Sequence, residues 1–177
     1  PKLVDESIQF VKKYHTIAPF TMTNQNGQTI TEKDYENKVY VADFFFTTCP
    51  SICPIMTKNM FSLQEKLKTK YPKVKLLSYS VIPEIDTIEQ LKRYAIENKV
   101  DDKIWNLVTG DKKEIYTLAR KSYLVVQNDG NGGPHDMIHT ENFVLIDKEN
   151  RIRGYYDGTD INEMDRLITE IGMLKND

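Results

Sequence analysis

Cys49 and Cys53 are the only cysteines in the 177 residues, and they follow directly on the strongest apolar run of the chain. That run, Val39 to Phe46, is short, rich in β-formers and interrupted by Asp43, so it reads as a buried strand. Beyond Cys49-Pro50-Ser51-Ile52-Cys53-Pro54, the residues Met56, Met60, Leu63 and Leu67 recur at helical spacing, and a helix is expected over roughly Ile52 to Lys70. Methionines so spaced read as core rather than as metal ligands. A disulfide across so small a loop would restrict the unfolded chain very little, so stability is a poor reason for the pair. Redox or metal chemistry is the better one.

The rest of the chain alternates strands and helices. Ile17 to Thr23 and Gln28 to Thr31 flank Asn24-Gln25-Asn26-Gly27, a hairpin signal. Lys38 to Phe46 is the strand before the cysteines, and Val74 to Val81 a second one of interior character. Asp86-Thr87 can cap a helix running to about Asn98, with Leu91, Tyr94 and Ala95 inward. Ile104 to Thr109 is extended, Asp111 to Lys121 helical with Ile115, Leu118 and Ala119 on one side, and Tyr123 to Gln127 extended again. Asn128 to Met137, with its glycines and Pro134, is a loop. Thr140 to Ile146 and Arg151 to Tyr156 form a second hairpin around Asp147-Lys148-Glu149-Asn150. Ile161, Met164, Leu167, Ile168, Ile171 and Leu174 make the apolar stripe of a closing helix. The order predicts an α/β domain of thioredoxin-like pattern: a central mixed β-sheet flanked by helices, with an added N-terminal hairpin. No repeat or linker divides the sequence. A single domain over residues 1–177 is expected, with 1–14 a helical or loose lead-in.

Composition excludes some functions. Lys and Arg number 24 against 26 Asp and Glu, which is not the basic footprint of a nucleic-acid binder. No stretch approaches the ~20 apolar residues of a membrane helix. The start at Pro1-Lys2-Leu3, without methionine or signal peptide, reads as a trimmed or mature chain. Lys66, Lys68, Lys70, Lys73 and Lys75 cluster where a helix should end. A solvated face that suits the helix dipole is the plain reading, and a docking patch for an acidic partner the sharper one.

Three effects converge at the cysteines. Residues four apart share a helix face, with about 5–6 Å between Cβ atoms. The helix N-terminus favours thiolate, at Cys49 in particular. Thiolates are the soft ligands preferred by Cu(I). Two sulfurs leave a typical site incomplete. His139, between the Gly-rich loop and a strand, would complete a trigonal site of two sulfurs and one nitrogen. His135 is an auxiliary candidate and Met137 a weaker one, whereas His15 reads as a surface residue of the lead-in. Structural zinc takes four Cys or His ligands and fits less well.

Three segments, Val41 to Pro54, Ser80 to Thr87 and His139 to Asp147, resemble in order the Sco/SenC family of thioredoxin-like copper proteins. The resemblance spans about Ile17 to Leu174. It implies copper held by Cys49, Cys53 and His139. The implied task is assembly of the dinuclear copper centre of cytochrome c oxidase, with subunit II or another copper or thiol protein as partner. It implies an extracytoplasmic setting, periplasmic or facing the periplasm from a membrane anchor absent from this chain, or the mitochondrial inner membrane in a eukaryote. A monomer is expected. Some members instead act as thiol-disulfide oxidoreductases; here Cys49 would attack a partner disulfide and Cys53 would resolve the mixed disulfide. A peroxide-scavenging thiol enzyme would need an arginine at its thiol, from among Arg93, Arg120, Arg151 and Arg153. Two positions depart from the family's habit. Ile82-Pro83 stands where Asp-Pro is common, and Ile138 precedes the histidine where Asp is frequent, with Asp136 two residues further back.

Overall fold

The computed structural model describes residues 15–175, so the expected lead-in over 1–14 lies outside the described residues. Seven strands form one sheet: β1 Thr21–Asn24, β2 Thr29–Thr31, β3 Tyr40–Phe45, β4 Lys75–Ser80, β5 Trp105–Thr109, β6 Asn142–Ile146 and β7 Ile152–Asp157. Their order is β2-β1-β5-β4-β3-β6-β7. The helices are α1 Ile52–Lys70, α2 Ile88–Glu97, α3 Lys112–Thr117 and α4 Ile161–Lys175.

Every residue of β3 is buried. A strand with no polar face must lie inside a sheet covered on both sides. β3 accordingly pairs parallel to β4 and antiparallel to β6, and β4 pairs parallel to β5. The hairpins extend the two edges. In the first, the Asn24 side chain accepts the amides of Asn26 and Gln28 at 3.0 and 2.9 Å, and Gly27 takes φ +74°. That left-handed conformation strains any residue with a Cβ, which is why glycine closes the turn.

Side chains alternate across the sheet. Val41 and Phe45 join Met56, Met60, Leu63 and Leu67 of α1, Leu91 of α2, and Met164, Leu167 and Ile171 of α4 in one core. Tyr40, Ala42 and Phe44 face the other core, with Ile115 and Tyr116 of α3 and the incoming Ile17 and Phe20. On that second face three buried hydroxyls form a chain. The Tyr123 hydroxyl lies 3.0 Å from that of Tyr40 and 2.7 Å from that of Tyr79.

This chain explains a departure from the expected pattern. Tyr123 to Gln127 forms no strand. After α3 the backbone widens into a π turn, Leu118–Ser122, and the Tyr123 amide donates to Leu118 O at 2.7 Å. Leu124 then adopts φ +56° and the Val125 amide turns back to Ala119 O at 2.9 Å. Seating the Tyr123 hydroxyl between two other tyrosines outweighs the extended preference of Val125 and Val126. Ile161 also departs from the expected stripe, being 53% exposed at the start of α4.

Removing the central hydroxyl leaves two buried phenols short of a partner. Tyr123→Phe is expected to destabilise the fold by about 1–3 kcal/mol in urea denaturation, with unchanged far-ultraviolet circular dichroism.

Candidate metal centre

Sheet direction decides which loops meet. The parallel strands β3 and β4 end on the same edge, and the antiparallel β6 begins there. Crevices beyond the carboxyl ends of parallel strands are the usual ligand sites of such sheets. Three segments converge on this edge: Thr47 to Cys53 after β3, Val81 to Asp86 after β4, and Ile138 to Glu141 before β6.

Asp86 ties the first two together. Its carboxylate is fully buried and accepts the Thr47 amide at 3.1 Å, the Thr47 hydroxyl at 2.5 Å and the Ser80 hydroxyl at 2.7 Å. Gln90 of α2 adds a donor to Thr47 Oγ1 at 3.0 Å. A buried carboxylate needs such partners, because desolvation alone would expel it. Asp86 is therefore a clamp on the turn before the cysteines. The cap of α2 is Thr87 alone, whose hydroxyl accepts the Gln90 amide at 3.2 Å.

Cys49 stands ahead of α1 rather than on its face, so helical spacing is not what joins the sulfurs. Its amide donates to Phe46 O at 3.3 Å, which turns the chain back toward the helix. Ser51 occupies the N-cap position without a capping side-chain bond. Both cysteines are free thiols, with Cys49 9% and Cys53 4% exposed. Burial pushes the Cys49 thiol up, but Cys53, the amides of Ser51 and Cys53 and the Ser51 side chain favour its ionised form and outweigh burial, so the net shift is below the ordinary thiol value. Cys53 moves the opposite way, to about 12, through burial first and the neighbouring Cys49 next. The two thiols therefore differ in acidity, Cys49 being the one that ionises first and Cys53 the one that holds its proton.

On the same face of the sheet, Asp43 interrupts the apolar strand. Ser78 donates a hydrogen bond to its carboxyl, and Trp105 Nε1–H donates to Ser78 Oγ at 2.9 Å. Burial raises the Asp43 carboxyl to about 7, against the opposing effect of Ser78. Its charge also acts on Cys53 and Tyr94. Asp43 was visible in the sequence as the break in the run, but nothing there showed which face it would take.

His139 reaches this edge as its position before β6 implied. Its ring stands edge-on to Phe46, with centroids 6.3 Å apart, and the residue is exposed. Phe46 is three residues before Cys49. Among the described residues, no three His, Cys, Asp or Glu side chains converge closely enough to hold an ion. The two thiols are together, and the imidazole stands beside the same turn.

The remaining candidates lie apart. His135 is exposed on the Gly-rich loop. Met137 turns its sulfur to the Tyr116 hydroxyl at 3.8 Å. His15 is half-buried rather than free on the surface, with Nε2 2.6 Å from Ser122 O. Asp136 does not stand in for a carboxylate at His139. Arg120 grips it at 2.5 and 2.8 Å, the Gly132 amide donates to it at 2.8 Å, and its carboxyl is held down to about 2. That latch, which the sequence did not suggest, fixes the loop leading to His139. The arginines of the peroxidase alternative are engaged elsewhere: Arg120 here, Arg151 and Arg153 with Asp147, and Arg93 with Gln90.

A mixed sheet with paired cysteines at the mouth of its first long helix defines the thioredoxin-like class. Within that class, the SCO1/SenC family model matches residues 9–175, and the chain belongs to that family. It is 33% identical over 158 residues to the SCO1 protein homolog of Bacillus subtilis, covering 89% of this chain and 81% of that one. Among solved structures it resembles BsSco, described as a member of the Sco family of cytochrome c oxidase assembly proteins with a disulfide switch. The TM-score is 0.76 at 32% identity, over 89% of this chain and 92% of that one. It also resembles Arabidopsis thaliana ScoI with copper bound, at TM-score 0.70 and 27% identity, over 89% and 99% of the two chains. The chain spans less than half the length of the mitochondrial SCO1 homologs of human, mouse and Arabidopsis.

Two outcomes follow from the proton distribution. Iodoacetamide at neutral pH is expected to label Cys49 well before Cys53, read by peptide mass spectrometry. Equal rates would contradict the unequal acidity of the two thiols. Folded Asp43 keeps its proton to about pH 7, against an ordinary value of 3.8. The group therefore supports the fold fully below about pH 4 and withdraws that support as pH rises toward 7. Asp43→Asn, which still accepts from Ser78, is expected to flatten that decline in urea denaturation across the same window.

Proposed function

We propose that this protein is a copper metallochaperone that holds one copper ion between Cys49, Cys53 and His139. The observation that carries the reading is the paired thiols at a helix mouth, with one already biased to thiolate and one imidazole on the same sheet edge. Two sulfurs and a nitrogen form a soft, low-coordinate donor set that favours Cu(I) over hard cations. Copper is cargo here. Cys49, the more acidic thiol, ionises first to bind, Cys53 gives up its proton on binding, and His139 supplies the third donor from an exposed position. The same exposure suits release by ligand exchange to a partner that approaches the sheet edge.

The recipient we propose is the dinuclear copper centre of cytochrome c oxidase, carried by subunit II, with the exchange occurring outside the cytoplasm. The family relationship and the copper-bound ScoI relative support this reading.

A second reading is favoured by the unequal acidity of the two thiols. In it the Cys49 thiolate attacks one sulfur of a partner disulfide and releases the other as thiolate. Cys53 then loses its proton, displaces the partner and leaves a Cys49–Cys53 disulfide. The partner disulfide is reduced and this pair oxidised. The two readings share the cysteines and differ over His139.

Titration of the reduced protein with Cu(I) against a competing chelator separates them. One equivalent is expected to bind tightly, Cys49→Ser and Cys53→Ser to lose it, and His139→Ala to compete less well. Unchanged Cu(I) retention in His139→Ala, together with undiminished reduction of a disulfide substrate, would favour the oxidoreductase.

A further inference from the structure

At the end of the sheet opposite the thiols, the lysines that run from the last turns of α1 to β4 differ in their partners. Lys66 pairs with Asp165, and Lys68 with Glu65 and Asp101, each at 3.4 Å. Lys73 and Lys75 do not follow them. Together with Lys38 and Lys148 they line a cleft of about 490 Å³ in which Glu36 is the single carboxylate. Among the described residues, none of these four ammonium groups forms an ion pair.

The cleft is assembled from three separate segments: the lead into β3, the α1–β4 connection and the β6–β7 turn. Backbone bonds fix them. The Lys38 amide donates to Tyr35 O at 3.2 Å, the Lys75 amide to Val39 O at 3.1 Å, and the Asp147 amide to Arg151 O at 3.0 Å. Two of the ammonium groups are also held by main-chain carbonyls. Lys38 Nζ donates to Asp34 O and Lys75 Nζ to Lys103 O, each at 3.0 Å. A carbonyl orients an ammonium without neutralising it, so the charges remain and repel. Lys75 is pushed below the ordinary lysine value by burial first and by the Lys38 charge next, with the Asp101 carboxylate opposing them.

We propose that this cleft binds a multiply charged phosphate-class anion, as the free ion or as the headgroup of an anionic phospholipid, with Lys38, Lys73, Lys75 and Lys148 as its counter-charges. Lysine ammoniums serve phosphate as point charges, and several phosphate oxygens can bridge groups that one carboxylate cannot satisfy. The site is remote from the metal centre. β3 and β4 begin at the cleft and end at the cysteine turn and the Asp86 loop, about 20 Å away. An anion held here leaves the thiol edge facing the opposite direction.

The test uses the reduced, copper-free chain at constant low ionic strength, because salt screens exposed charges. One arm titrates pyrophosphate by calorimetry. The other measures co-flotation with vesicles of phosphatidylglycerol and phosphatidylcholine, against phosphatidylcholine alone. Saturable binding to at least one phosphate probe is expected. It should weaken about tenfold or more in Lys73→Glu/Lys148→Glu, and to a lesser degree in the neutral pair Lys73→Gln/Lys148→Gln. Pyrophosphate binding assigns the site to the free ion, and vesicle binding without it assigns the headgroup. No saturable binding in either arm, or equal binding by wild type and both variants, overturns the proposal. The variants keep Cys49, Cys53 and His139, so their Cu(I) titration is expected to match wild type whichever way the anion result falls.

Discussion

The buried carboxylate of Asp86 is the constraint on which the thiol edge depends. It satisfies the amide and hydroxyl of Thr47 and the hydroxyl of Ser80, and so joins the exits of two parallel strands through one side chain. Because Thr47 is fixed, the chain must turn at Phe46 and Cys49 before entering α1. That turn delivers the Cys49 sulfur to the open amides of the helix start, where Ser51 makes no cap. The low-lying thiol is thus a consequence of backbone geometry. The same amides that a serine or aspartate would normally satisfy here stabilise a thiolate.

The two faces of the sheet carry buried polar groups of different kinds. On the α3 side, the tyrosine hydroxyls satisfy one another and fix the path of the chain from Ser122 to Val125. On the α1 side, Asp43 is buried with Ser78 as its hydrogen-bond donor and keeps its proton to about neutral pH. A carboxyl in such surroundings opposes stability when ionised. Its charge reaches Cys53, so the acid–base behaviour of the thiol edge extends into the sheet beneath it.

Much of this was legible in the sequence. Val39 to Phe46, the helix over Ile52–Lys70 and the second hairpin carry strong periodicity or turn chemistry and formed close to where expected, whereas the first hairpin's opening strand begins at Thr21 rather than Ile17. The convergence of Cys49, Cys53 and His139 on one edge follows from strand direction once a mixed sheet is granted. The unread parts are tertiary. Val125 and Val126 favour a strand locally, but a hydroxyl contact with Tyr40 and Tyr79, far away in sequence, overrides them. Asp86 looks like a helix cap because Thr87 beside it is one; only the folded chain shows its carboxylate turned toward Thr47. Asp136 resembles a displaced ligand-side carboxylate until Arg120, 16 residues earlier, is seen to hold it.

His139 stands beside Phe46 as an exposed side chain, and in the proposed function its imidazole shares one copper ion with two sulfurs. X-ray absorption at the copper edge of the Cu(I)-loaded protein addresses this directly. Two sulfurs and one nitrogen bonded to copper are expected, with the nitrogen lost in His139→Ala. A shell of sulfur alone in the wild type, or one unaltered by replacing His139, would contradict that sharing.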